Sequence, residues 1–95
     1  MAKFPLGKIV TTRGVATLEE ANLEFAIFVC HALSRHMIGD WGDLCEEDKQ
    51  LNDASLHDDG RILSAYEYPK NPDWKIWIIT EWDRSATTIL FPSEY

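Results

Sequence analysis

The run Ile76-Trp-Ile-Ile79 is apolar at four consecutive positions, so both faces of a strand built from it must be kept from water. This constrains the chain strongly, because 95 residues supply material for about one core. Arg61 to Tyr68, Trp74 to Trp82 and Ala86 to Phe91 are rich in β-branched and aromatic residues and read as strands. Pro69 to Asp73 reads as the loop between the first two, and Asp83-Arg-Ser85 as a short turn between the last two. The expectation is a three-stranded antiparallel meander with Ile76–Ile79 at its centre. Helices cover one face, and the other needs the N-terminal segment or a partner chain.

Upstream, Lys8 to Thr12 reads as a short strand, and Thr17-Leu-Glu-Glu20 has capping-box spacing for a helix start. Helical sequence continues to Met37, with Asn22 able to cap a second helix within it. Phe25, Phe28, Val29, Ala32, Leu33 and His36 share one face, while Ile27 and Cys30 fall off it. Two glycines in Gly39-Asp-Trp-Gly42 permit a reversal. A further helix is expected from Asp43, as its cap, to Leu56, with Leu44, Asp48, Leu51 and Ser55 on its inner side. The fold class is therefore α+β over residues 1–95 as a single domain: an N-terminal strand, two or three helices in one layer, then the meander.

The net charge of −7 lies wholly between His36 and Gly60. Asp40, Asp43, Glu46, Glu47, Asp48, Asp53, Asp58 and Asp59 are opposed there only by Lys49, and the remaining residues are balanced. Such a field disfavours direct nucleic-acid binding and favours a basic protein surface. Cys30 and Cys45 have no metal or redox spacing, and no apolar run is long enough for a membrane span. A cytoplasmic protein with reduced thiols, no cofactor and no metal is the expectation.

Gly39-Asp-Trp-Gly-Asp-Leu44, Glu47-Asp48 with Asn52, Arg61-Ile-Leu-Ser-Ala-Tyr66, and Ile76-Trp-Ile-Ile-Thr-Glu81 through Asp83-Arg84 and Thr87-Thr88 to Pro92-Ser-Glu-Tyr95 carry a resemblance. Residues 36–95 resemble a family of small bacterial proteins described as plasmid-related and found on mobile elements. Members are sometimes labelled the modification subunit of a type I restriction system. Over the first 35 residues only the strand-helix plan agrees. Trp82 stands where a small residue is expected, and the Asn71-Pro72 loop is longer than usual. The resemblance implies an accessory role and no established activity. Methyltransferase chemistry does not fit, because it needs a doubly wound domain with a glycine-rich cofactor turn. Asn71-Pro-Asp-Trp74 also lacks the second proline of the base-flipping motif.

Binding rather than catalysis is the leading reading, with Glu46, Glu47 and Asp53 as outward acidic contacts and Trp41, Trp74 and Trp82 as aromatic ones. A host defence nuclease is one candidate partner. Asp48 faces the leucines in this reading and needs Arg61 or Arg84, as a structural pair or an anion site. A metal-independent, toxin-like RNase is the enzymatic alternative, using His36, Arg84 and Thr87 or Thr88 as base, cation and hydroxyls. A homodimeric module burying the Ile27–Cys30 side or a sheet edge is the third.

Overall fold

The computed structural model describes residues 2–95 and has the expected α+β architecture. Its elements are β1 (Lys8–Thr11), α1 (Arg13–Ala21), α2 (Leu23–Met37), α3 (Glu46–Asp58), β2 (Ile62–Tyr66), β3 (Ile76–Thr80) and β4 (Ala86–Leu90). Short 3-10 turns form at Pro72–Trp74 and Pro92–Glu94. The meander is present: Ile78 lies opposite Ser64 on β2 and Ile89 on β4, both antiparallel. It is not the whole sheet. β1 runs parallel to β4 with Ile9 opposite Thr87, giving a mixed sheet of order β1-β4-β3-β2. The three-stranded sheet expected from the sequence is corrected here to a mixed four-stranded one, because nothing local in Lys8–Thr11 specifies its partner. Gly7 permits the docking. Its φ is +64°, and a Cβ there would lie 2.4 Å from the backbone of Arg84 and Ser85. No side chain fits so close to a fixed carbonyl.

Alternation assigns Ile76, Ile78 and Thr80 to one face and Trp77 and Ile79 to the other. The first face carries the core: Val15, Phe25, Val29 and Ala32 pack on Tyr66, Ile76, Ile78 and Ile89. The N-terminal segment joins this same side, where Phe4 meets Trp41 and Ile62. It therefore does not cover the second face as expected. There Tyr95 packs edge-on against Trp77, and the Arg61 guanidinium stacks over Tyr95.

α1 starts at Arg13, so Thr17 lies inside it rather than capping it. Glu94 caps the helix from the far end of the chain. Its carboxylate accepts from the Thr12 hydroxyl at 2.6 Å, the Gly14 N–H at 3.0 Å and the Phe91 N–H at 3.1 Å. Burial acts to raise the Glu94 pKa, but these donors prevail and hold it below the usual range. Asn22 caps α2 as expected, accepting from the Phe25 N–H.

α3 begins at Glu46 with Cys45 at the cap position, not with Asp43. It sits beside the β2 edge instead of on a sheet face, and this placement decides which residues it buries. Asn52 acts as a strand mimic, donating to Leu63 O at 2.5 Å and accepting from Leu63 N–H at 3.2 Å. One step along, Asp43 N–H donates to Ala65 O and Ala65 N–H to Trp41 O. The Asp43 carboxylate then accepts from Glu67 N–H at 2.9 Å. The outward amides of Leu63, Ala65 and Glu67 are thereby all satisfied, which closes an edge otherwise open to another strand.

Candidate functional site

His36 is fully buried. Its Nδ1 lies 2.6 Å from Ser64 Oγ and its Nε2 lies 2.9 Å from Thr80 Oγ1. Thr80 Oγ1 is 2.7 Å from Thr87 Oγ1, which donates to Leu6 O at 2.7 Å. That last bond fixes every proton in the row. The Thr87 proton goes to the carbonyl, so Thr87 accepts from Thr80. Thr80 must then accept from Nε2–H, and Nδ1 is left to accept from Ser64 O–H. Phe4 and Trp41 pack edge-on against the ring.

Burial lowers the His36 pKa to about 4, so the ring is neutral at pH 7. An unfolded histidine titrates near 6.5, so between these two values the unfolded chain binds the extra proton and stability rises with pH. Acidification from pH 7 to pH 5 should therefore remove about 2 kcal/mol through this group. Urea midpoints measured across that range check the slope, and a flat profile contradicts it.

The RNase set does not assemble around this histidine. Thr87 joins it only within the sealed row, and Thr88 lies on the opposite face of β4. Arg84 is engaged elsewhere. In the left-handed region at φ +59°, it donates through Nη1 to Gly60 O at 2.6 Å and through Nη2 to Ser55 O at 2.8 Å. It thereby ties the C-terminal end of α3 to the β3–β4 turn, and its guanidinium also lies over Phe4. The expected pairing with Asp48 is corrected. Asp48 is exposed, because the inner stripe of α3 runs through Lys49, Asn52 and Leu56. Arg61 lines a small cleft with Asp48, Leu44 and Leu51, but no ion pair joins them.

The acidic residues fare differently. Glu46, Glu47, Asp48, Asp53 and Asp58 all reach solvent on α3. Among the described residues the only ion pairs are Arg35–Asp40 and Lys70–Glu24, so none of the α3 carboxylates is neutralised by a cation. Asp53 has a structural duty as well, accepting from Trp41 Nε1–H at 2.9 Å. No group of three or more metal-ligating side chains occurs among the described residues.

The three tryptophans do not form one rim. Trp41 is buried. Trp74 packs against Phe25 and Tyr68 and lines a groove of about 760 Å³ with Leu18, Ala21, Phe91 and Pro92. Trp82 stands alone in solvent at the other end of β3. Sequence reasoning passed over Ser64 and Thr80 in the buried row. The signal was present as a hydroxyl inside one apolar strand, Ser64, and at the end of another, Thr80.

Comparison with models of known protein families, with curated proteins and with solved structures finds no match. No helix among the described residues is long and apolar enough to cross a membrane.

Proposed function

We propose that this chain is a small cytoplasmic accessory protein of plasmids or other mobile elements that acts by binding a basic protein surface through α3. The observation that carries this is the row of exposed carboxylates on α3 with no cation against them. Asn52 and Arg84 tie α3 down without using the Glu46, Glu47 or Asp48 carboxylates, which leaves these acids free for an outside partner. The first turn carries Glu46, Glu47 and Asp48, all exposed, so side-chain charge is concentrated at that end of the helix. Like-signed charge at this density steers association with a positive groove and weakens with salt. The partner class that fits is a DNA-cleaving host defence nuclease, whose DNA channel is lined with cations. On this reading the domain occupies the channel as a mimic of the phosphate backbone and has no catalytic role.

Titrating the protein into DNA cleavage by a type I restriction nuclease tests the reading. Cleavage should fall as protein is added, and excess DNA or added salt should restore it. Unchanged cleavage at every ratio contradicts the reading.

A further inference from the structure

The two edges of the sheet are treated differently. α3 and the 41–43 segment close β2, whereas β1, at the opposite edge, has β4 on one side only. Lys8 N–H donates to Ser85 O and Thr12 N–H to Ile89 O, which sets the phase of the ladder. Alternate residues of a parallel strand bond to the same neighbour, so Lys8, Val10 and Thr12 turn to β4. The N–H and C=O groups of Ile9 and Thr11 point outward, and among the described residues none of them has a hydrogen-bond partner. Ile9 is 48% exposed, and Thr11 is exposed with it. Alternation puts these two side chains on one face of the strand and Lys8 with Val10 on the other.

We infer that this edge takes an extended peptide of another protein as a fifth strand, one in which apolar and acidic residues alternate. Only an extended backbone offers donors and acceptors at the spacing of the outward Ile9 and Thr11 groups. Charge selects the acidic side chains. Residues 2–18 carry Lys3, Lys8 and Arg13 and no acid. Lys8 and Arg13 flank the open stretch, both are exposed, and neither is in an ion pair among the described residues. The acids beside the paired strand are committed to the fold: Asp83 accepts Ser85 N–H within its own turn, and Glu94 caps α1. An incoming strand with acids on the Lys8 face and apolar residues on the Ile9 face therefore matches both faces. A second copy of β1 does not. Antiparallel pairing centred on the strand sets Lys8 of each copy near Arg13 of the other, like against like, which is how a lysine guards an open edge against its own kind.

Amide hydrogen exchange of the whole protein, with and without a synthetic peptide alternating valine and glutamate, tests the arrangement. The peptide should slow exchange at Ile9 and Thr11 and leave Ile78, in the sheet centre, unchanged. Ile9→Pro removes an outward N–H that the fold does not use, so the variant should stay folded and bind the peptide at least about tenfold more weakly. Lys8→Glu combined with Arg13→Glu should reverse the preference, toward a peptide alternating valine and lysine. No slowing at Ile9 and Thr11 up to about 1 mM peptide overturns the inference. So does equal binding of both peptides by the wild type. Slowing of the same two amides by protein concentration alone would give the edge to a second copy and overturn it as well.

Discussion

Replacing His36 with Ala is expected to cost about 4 kcal/mol of folding stability, measured by urea unfolding. The ring is sealed between Phe4, Trp41 and the sheet, so its removal leaves a cavity that these neighbours fill only in part. It also leaves the Ser64 hydroxyl without its acceptor and Thr80 Oγ1 without its donor, both on fully buried side chains. A domain of this length has total stability on the order of 5–14 kcal/mol, so the variant should keep only about 1–10 kcal/mol of it. His36→Gln retains one donor and one acceptor and should recover part of the loss. A cost under about 1 kcal/mol for the alanine variant would mean that the ring is not sealed, and would reopen a chemical role for it.

Gly42→Ala is expected to cost about 3 kcal/mol, through a different mechanism. Gly42 has φ +75°, and a Cβ there would lie 2.0 Å from Ala65 O and 2.7 Å from the Tyr66 ring. The carbonyl belongs to β2 and cannot retreat, so the 41–43 segment must lift from the edge. The bonds Asp43 N–H to Ala65 O and Ala65 N–H to Trp41 O are then lost together. Hydrogen exchange should show the Ala65 amide deprotected while Ile78, in the sheet centre, stays protected. Retention of Ala65 protection in the variant contradicts this account of the edge.

These two positions also show what was legible in the sequence. The buried face of α2 could be read from its period, because a helix packed on a sheet face buries a regular stripe. Asn22 as a cap and Ile76–Ile79 as a strand covered on both sides followed from local chemistry in the same way. The inner face of α3 was misjudged because that helix lies along an edge. There the side chain that matters is Asn52, whose amide can imitate a strand, and not the leucines at helical spacing. Asp48 consequently faces water, and the partner sought for it among the arginines was not needed. Arg84 was read as a partner for Asp48 or as the cation of an RNase site, yet its three carbonyl contacts come from Ser55, Gly60 and Glu81. Such a site is visible only once the α3 terminus and the hairpin meet. The parallel pairing of β1 with β4 joins residues nearly the whole chain apart, where no local pattern reaches.

The segment Gly39–Leu44 acquires a physical reading through the same contacts. Asp40 pairs with Arg35 and accepts the Gly42 N–H, while Trp41 fills the space between Phe4 and His36. Asp43 completes the edge. The segment is a structural clip, and its residues are occupied by the fold. What the fold leaves unoccupied is the outward row of α3.

That division is tested most directly by neutralising the outward acids while sparing Asp53. Glu46→Gln, Glu47→Gln and Asp48→Asn should be combined in one variant and compared with the wild type in two readouts. The unfolding free energy from urea titration should stay within about 1 kcal/mol of wild type, the small loss coming from the helix dipole. Inhibition of DNA cleavage by the type I restriction nuclease should be lost. A folded variant that inhibits as well as the wild type would contradict the assignment of binding to this face.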